Sequence, residues 1–118
     1  SGTLCPAGWH VPTNAEWNAL SADLGGESLA GGKLKEAGLS HWSSPNSGAS
    51  NATGFTALPG GKRSKYGAFS DNGDHGFWWS ATDNSNKASF YGMSYYHSSI
   101  YTYEGYKETG FSVRCVRD

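Results

Sequence analysis

Residues 83–109 carry the side chains of this chain that are best suited to recognition chemistry. Six of the seven tyrosines lie there, together with small polar residues that are mainly Ser and Asn. A tyrosine ring offers a large, rigid, amphipathic contact surface, and Ser and Asn supply adaptable hydrogen bonds, a mixture typical of antibody binding surfaces. The sequence therefore predicts a ligand-binding surface, with these candidate contacts: Asp83, Asn84, Asn86, Ser89, Tyr91, Tyr95, Tyr96, His97, Ser98, Tyr101, Tyr103 and Tyr106.

The alternative for the same tyrosines is an ordinary antiparallel sheet, in which aromatic residues are common. Glycan binding is a further version of the recognition hypothesis. Trp78 or Trp79 could stack on a sugar ring together with tyrosines of the stretch, while Asp83 and the neighbouring asparagines bond its hydroxyls. Against this, tryptophan is usually substantially buried in folded domains.

Catalytic and metal chemistry have weaker support. A Cys–His pair would need a nucleophile beside its base, and no spacing of the four histidines provides that arrangement. The turn at residues 71–75 offers Asp, Asn and His ligands, but its spacing is not that of a calcium loop and a solvated turn explains it. We therefore predict no catalytic residue, no metal site and no cofactor.

The length and the composition indicate one domain over residues 1–118, and Ser1 and Gly2 suggest that it was cut from a longer protein. A net charge of −1 gives no basic stripe to neutralise phosphates, which argues against nucleic acid. No apolar run has the length of a membrane span, so we expect no membrane insertion by this segment. The expected form is a monomeric domain that binds a protein or glycan on a cell or substrate surface.

Cys5 and Cys115 lie near opposite ends of the chain. Two such cysteines are either reduced core residues or one disulfide, and their spacing and the composition favour the disulfide. Closing so long a loop would stabilise the fold by roughly 4–5 kcal/mol in the chain-entropy model. A disulfide predicts an oxidising location, extracellular or at the cell surface, compatible with lipoprotein anchoring through a missing N-terminal region.

Two helices are predicted in the first third of the chain. Thr13 and Glu16 form a capping-box pattern, which predicts a helix over residues 14–24 with Trp17 on its inner face. Ser28 is the predicted cap of a second helix reaching residue 37, whose Gly31 and Gly32 require close backbone packing, which we expect to be on the sheet. Its apolar pattern turns Leu29 and Leu34 inward and Lys33, Lys35 and Glu36 outward.

The strands are expected over residues 77–82, 87–97, 99–103 and 110–116. Trp78 and Trp79 must point to opposite faces of their strand. Within the tyrosine-rich stretch Ala88, Met93 and Ile100 are the predicted inward anchors. In the last strand, alternation places Phe111, Val113 and Cys115 on the inner face.

Three stretches resemble the Fibrobacter succinogenes major paralogous domain. They are CPAGWHVPTNAEWNAL (residues 5–20), GGKLKE with ATGFTALPGGKR (31–36 and 52–63), and FWWSATDNSNKA with GFSVRCVRD (77–88 and 110–118). The resemblance implies an α+β domain with a C-type lectin-like fold, in which two helices accompany small antiparallel sheets and long irregular loops. It also implies adjacent termini and a secreted or surface protein, and many members of the family have no assigned activity.

This family is similar to the formylglycine-generating-enzyme-like branch of that fold, whose enzymes use a pair of neighbouring cysteines. Cys5 and Cys115 look structural instead, so that catalytic set does not carry over. The variable proteins of diversity-generating retroelements also use C-type lectin-like folds, with hypervariable residues just before a closing strand, and residues 83–109 are compatible with that. We expect a non-enzymatic binding module. The alternatives are a structural accessory domain and, with less support, an oxidase-like enzyme.

Overall fold

The computed structural model describes residues 4–118, so Ser1 and Gly2 lie outside the described part. Over residues 4–118 the domain is α+β, as predicted, with two helices, three small antiparallel sheets and a long irregular segment between the second helix and the second strand. In chain order the elements are β1 (Trp9–His10), α1 (Asn14–Asp23), α2 (Glu27–Leu34), β2 (Lys62–Arg63), β3 (Phe69–Ser70), β4 (His75–Asn84), β5 (Lys87–Ser94), β6 (Ile100–Tyr106) and β7 (Val116–Arg117). Within residues 4–118, neither helix combines the length and apolar character needed to cross a bilayer.

The two ends of the domain are joined. β1 pairs with β7, and Cys5 and Cys115 form the predicted disulfide with their Cα atoms 5.9 Å apart. His10 adds a polar link, because its Nδ1 lies 2.6 Å from Asp118 and its Nε2 lies 2.8 Å from Glu16. The chain start, the first helix and the chain end are thus held together by a strand pair, a covalent bond and an imidazole.

Helix α1 has the predicted capping box. The Glu16 amide donates to Thr13 Oγ1, and the Glu16 carboxylate accepts from the Thr13 amide at 3.0 Å. These bonds satisfy two amides that would otherwise lack partners at the helix start. Trp17 is buried and its ring stacks on Tyr91 with centroids 5.1 Å apart, so α1 is fixed against the main sheet.

Helix α2 differs from its prediction at both ends. It follows Gly26, not Ser28, and it ends at Leu34, because Lys35 adopts an extended conformation. Leu29 is exposed, so its predicted inward orientation is wrong.

The two glycines of α2 explain how tightly this helix packs. A Cβ on Gly31 would lie 2.2 Å from the Ser99 carbonyl oxygen, and one on Gly32 would lie 2.4 Å from that of Gly48. Any side chain at either position would clash with neighbouring backbone. The close approach that the glycines predicted is confirmed, although the partners are loops and not the sheet.

The main sheet has the order β4-β5-β6, and Tyr91 at its centre is paired with Trp78 on one side and Thr102 on the other. One face packs on the helices and forms the core, with Trp78, Tyr91, Met93 and Ile100 buried beside Trp17, Leu34 and Trp42. The predicted anchors Ala88, Met93 and Ile100 are all buried.

The predicted strand over residues 110–116 is largely wrong. Only Val116 belongs to a strand, and Val113 is exposed. Ser112 forms an isolated bridge with Trp78 and exchanges backbone hydrogen bonds with Phe77 and Trp79. The segment therefore lies beside the free edge of β4 at this single bridge and does not extend the sheet as a strand. The Phe111 ring packs on Trp79 and Phe90.

Candidate functional site

The second face of the main sheet, opposite the helices, is aromatic. The strand register places Phe77 and Trp79 on it from β4, Phe90 from β5, and Tyr101 and Tyr103 from β6. The period of two in a strand brings these alternate positions to one side. Ring centroids are 5.7 Å apart between Phe77 and Phe90 and 6.3 Å apart between Phe90 and Tyr103. The face is thus a continuous aromatic layer.

Tyr101 occupies a place that a glycine leaves open. A Cβ built on Gly92 would lie 2.5 Å from the Tyr101 ring, so the ring covers the backbone of β5 where Gly92 has no side chain. Burial raises the pKa of Tyr101 to about 12, and the nearby Asp71 adds to the shift. The hydroxyl therefore stays protonated at neutral pH and can both donate and accept a hydrogen bond.

Three of the predicted contact residues form an exposed group that we call the tyrosine strip: Tyr96, Tyr101 and Tyr103. The rings of Tyr101 and Tyr103 have centroids 5.7 Å apart, and Tyr96 lies in the loop that joins β5 to β6. Tyr96 and Tyr103 are 52% and 65% exposed, and Tyr101 is half-buried. Two rings are available to a ligand, and the third supports them.

The loop between β5 and β6 carries Tyr96 and His97, whose ring centroids are 4.2 Å apart. This loop is held by Lys35, which is 0% exposed. The Lys35 ammonium donates to the carbonyl oxygens of Ser47, Ser94 and His97, each at 2.9 Å. An ammonium has three donors, so the three bonds satisfy it completely. Burial lowers the pKa of Lys35 to about 8.

The prediction that Lys35 faces solvent is wrong, and the reason lies at the helix end. Lysines near a helix C-terminus often donate to free carbonyls, and Lys35 is the residue directly after α2. Its acceptors, however, belong to residues 12 to 62 positions further along the chain. The helix-end position is a sequence signal, but no local pattern identifies those partners.

Ser89 and Tyr91 are not surface contacts, which corrects two predicted site residues. Both are buried. Ser89 Oγ accepts from the Asn14 side chain at 3.0 Å, and the Tyr91 hydroxyl donates to Asn18 Oδ1 at 2.8 Å. They share the inward face of β5 with the predicted anchor Met93, because residues at a spacing of two point the same way.

Asp83, Asn84 and Asn86 lie at the turn between β4 and β5, and they are exposed as predicted. Asp83 pairs with Lys107 at 2.6 Å, and Asn84 donates to the Glu104 carboxylate at 3.0 Å. Eight residues of β5 separate this turn from the Tyr96 loop, a distance of roughly 25 Å. The turn and the tyrosine strip are therefore two separate surfaces.

The remaining predicted residues have mixed positions. Tyr95 is half-buried against His75, with ring centroids 6.5 Å apart. Ser98 Oγ donates to the Ser28 carbonyl at 2.8 Å, which ties the loop to α2. Tyr106 is half exposed and lies beneath the Lys87 ammonium, 4.8 Å from its ring centroid. These three residues flank the binding surface or support it.

A concave feature lies beside the joined chain ends. It is a cleft of about 570 Å³ whose lining includes Trp9, His10, Trp79, Asp83 and Lys107, and we call it the tryptophan cleft. Of the two tryptophans predicted as candidates for sugar stacking, Trp78 is buried in the core and Trp79 lines this cleft. No local sequence pattern predicts that Trp9 lies near Trp79, because the pairing of β1 with β7 brings it there.

The 71–75 turn makes internal contacts. Asp71 lies 3.6 Å from the Lys62 ammonium, and Asp74 accepts from Ser43 Oγ at 2.6 Å. Over residues 4–118, no group of three or more His, Cys, Asp or Glu side chains is arranged to hold a metal ion.

Comparison with known proteins identifies the family. The model of the Fibrobacter succinogenes major domain matches residues 1–117. Neither the curated proteins nor the solved structures give a significant match. Because the family match covers nearly the whole chain, this protein belongs to the Fibrobacter succinogenes major domain family.

Proposed function

We propose that the domain is an extracytoplasmic binding module that holds its ligand on the tyrosine strip. The observation on which this proposal rests is the pairing of the Tyr101 and Tyr103 rings on the second face of the sheet, beside the loop that carries Tyr96, with Tyr96 and Tyr103 more than half exposed. Exposed aromatic groups of this kind are characteristic of interaction sites, and tyrosine is enriched among the residues that dominate binding energy.

A protein ligand fits the strip better than a glycan does. None of the three tyrosines of the strip lines the tryptophan cleft, and the rings of Tyr96 and Tyr103 are more than half exposed. An open aromatic surface with a polar surround resembles the centre of a protein–protein interface. The net charge of −1 supports neither nucleic acid nor any other strongly anionic partner. We therefore place the ligand among proteins of a cell or substrate surface.

The location and the fold kinship are parts of the same proposal. A disulfide is typical of oxidising compartments, and the Cys5–Cys115 bond supports an extracellular or cell-surface position, with anchoring through a preceding lipoprotein region as one route. A C-type lectin-like fold is supported by the paired termini, the two helices and the irregular segments. Diversification of the strip by a retroelement is a more specific form of this proposal.

A non-enzymatic role is part of the proposal too. An oxidase-like mechanism of the formylglycine-generating kind needs reactive thiols, and both cysteines of the chain are joined in a disulfide. The competing role is a structural accessory domain without a ligand of its own.

A screen tests the proposal. The domain is presented to a displayed library of cell-surface proteins and to a glycan array, beside a Tyr96→Ala/Tyr103→Ala variant. Tyr66→Ala is the matched control, because Tyr66 is 86% exposed and lies outside the strip. We expect a displayed protein that binds the wild type and Tyr66→Ala but not the double variant. Absence of any binder would favour the accessory role, and a binder indifferent to the double substitution would refute the site.

A further inference from the structure

We propose that the tryptophan cleft is a second binding site, which takes an uncharged sugar ring between Trp9 and Trp79. The site is independent of the tyrosine strip, because it lies beside the disulfide and the β4–β5 turn and not at the Tyr96 loop. Its volume of about 570 Å³ is within the range of roughly 300–1,000 Å³ usual for small-molecule sites.

A bulge in β4 opens the cleft. Regular pairing with β5 stops after Trp79 and resumes at Asp83. Between them, the Ala81 amide turns away from β5 and donates to the Pro12 carbonyl at 2.8 Å. Bulges of this kind redirect side chains and are frequent next to functional sites. Here the bulge interrupts the pairing of β4 with β5 between Trp79 and Asp83, and Trp79 and Ala88 line a concavity at this place.

The two indoles are supported from outside the cleft. Trp9 is 45% exposed and has the Arg117 guanidinium 6.0 Å from its ring centroid. Trp79 packs on Phe111 with centroids 4.6 Å apart. Rigid aromatic walls favour ligands with a flat apolar face and cost little ordering entropy on binding. The C–H face of a pyranose ring has this shape and polarity.

The polar groups of the cleft select against a charged ligand. Asp83 and Lys107 neutralise each other at 2.6 Å, and both nitrogens of His10 are already engaged by Asp118 and Glu16. The pair leaves an acceptor and a donor side by side, with free carboxylate lone pairs and ammonium hydrogens. Neighbouring hydroxyl groups, which donate and accept, match such a pair, whereas an anion or a cation would have to break it.

The indole N–H signals of the five tryptophans provide the test. Trp9 and Trp79 line the cleft, whereas Trp17, Trp42 and Trp78 are buried in the core. The ¹⁵N-labelled domain is titrated with neutral linear hexaoses of glucose, xylose, mannose and galactose up to about 10 mM, where a millimolar complex is visible. We expect at least one hexaose to shift the Trp9 and Trp79 signals and to leave the three core signals in place.

Variants separate this site from the strip. Trp9→Ala and Asp83→Asn should each weaken hexaose binding by at least about tenfold, equivalent to 1.4 kcal/mol, whereas Tyr96→Ala/Tyr103→Ala should leave it unchanged. Asp83→Asn keeps the shape of an exposed side chain, so the test does not depend on Trp9→Ala folding. The proposal is overturned if no hexaose shifts the two signals, or if the double tyrosine variant loses the binding and both cleft variants retain it. Neither result bears on a protein ligand of the strip.

Discussion

The Lys35 ammonium lies 2.9 Å from the carbonyl oxygen of His97, although 62 residues separate the two in the chain. The same ammonium bonds Ser94 at the end of β5 and Ser47 in the irregular segment. The loop that presents Tyr96 is therefore held from beneath by a buried cation, where strand pairing has ended. Fold stability and the geometry of the proposed binding surface are coupled at this residue.

Replacement of Lys35 by Met should destabilise the domain by about 2–4 kcal/mol. Met has a similar length but leaves one buried and two partly buried carbonyl groups without this donor, and unsatisfied buried groups cost about 1–3 kcal/mol each before relaxation. Urea unfolding measures the effect. Lys33→Met is the matched control, since Lys33 donates to the Leu24 carbonyl alone at 2.9 Å and is less buried. Equal losses for the two variants would contradict this role of Lys35.

Gly92→Ala should displace Tyr101 and weaken ligand binding. The new methyl group would lie 2.5 Å from the Tyr101 ring, and overpacking of this kind costs about 1–3 kcal/mol. The ring signals of Tyr101 in an NMR spectrum report the displacement. Gly105→Ala is a milder comparison, because its nearest contacts are ring atoms at 3.2 and 3.3 Å. Unchanged Tyr101 signals in Gly92→Ala would show that the position of the Tyr101 ring does not require a glycine at residue 92.

His10 should make stability depend on pH near neutrality. Hydrogen bonds to Asp118 and then Glu16 raise the pKa of His10 above 6.5. The folded state thus holds the proton more tightly than the unfolded state does. The stabilisation is fully present below pH 6.5 and is lost as pH rises through the raised pKa. NMR titration of the ring should give a pKa above 6.5. In His10→Gln, the unfolding free energy should no longer fall between pH 6.5 and the raised pKa of His10. A fall of the same size in this variant would show that His10 does not cause the pH dependence.

Loss of the disulfide should cost roughly 4–5 kcal/mol, the value for a loop of this length in the chain-entropy model. Cys5 and Cys115 enclose a sequence separation of 110 residues. A Cys5→Ser/Cys115→Ser variant, compared with the oxidised domain by urea unfolding, gives the difference. An unchanged unfolding midpoint would mean that the paired strands β1 and β7 hold the ends together without the covalent bond.

If a retroelement diversifies this domain, substitutions in sibling strains should follow exposure and not sequence position alone. Tyr96, His97 and Tyr103 are exposed and should vary, whereas Tyr91 and Met93, buried in the same stretch, should stay fixed. Sequencing the locus in related strains decides this. A uniform substitution rate along residues 83–109 would exclude diversification of the strip.

Local patterns predicted a good part of this structure. The capping box located α1, because its bonds join residues three apart. Their apolar, non-aromatic side chains in the tyrosine-rich stretch identified Met93 and Ile100 as core residues. Alternation failed for residues 110–116, since packing of Phe111 on the sheet overrides strand pairing there. Periodicity reports which residues share a face only where the element has been identified correctly.

The candidate site was predicted in outline and not in detail. Composition found the tyrosines, but the register of β5 decides that Tyr91 points inward while Tyr101 and Tyr103 lie on the opposite face. Lys35 and Trp9 were missed for a common reason. Their roles depend on contacts with residues far along the chain, and these are set by the tertiary fold.

The central claim is that Tyr96 and Tyr103 carry the binding energy of the domain. Isothermal titration of the protein recovered in the library screen tests it directly, with wild type, Tyr66→Ala and Tyr96→Ala/Tyr103→Ala compared at one salt concentration. We expect the double variant to bind at least about 30-fold more weakly, since each tyrosine at an interface centre contributes about 1–2 kcal/mol, and Tyr66→Ala to match the wild type. Equal dissociation constants for all three proteins would contradict the account.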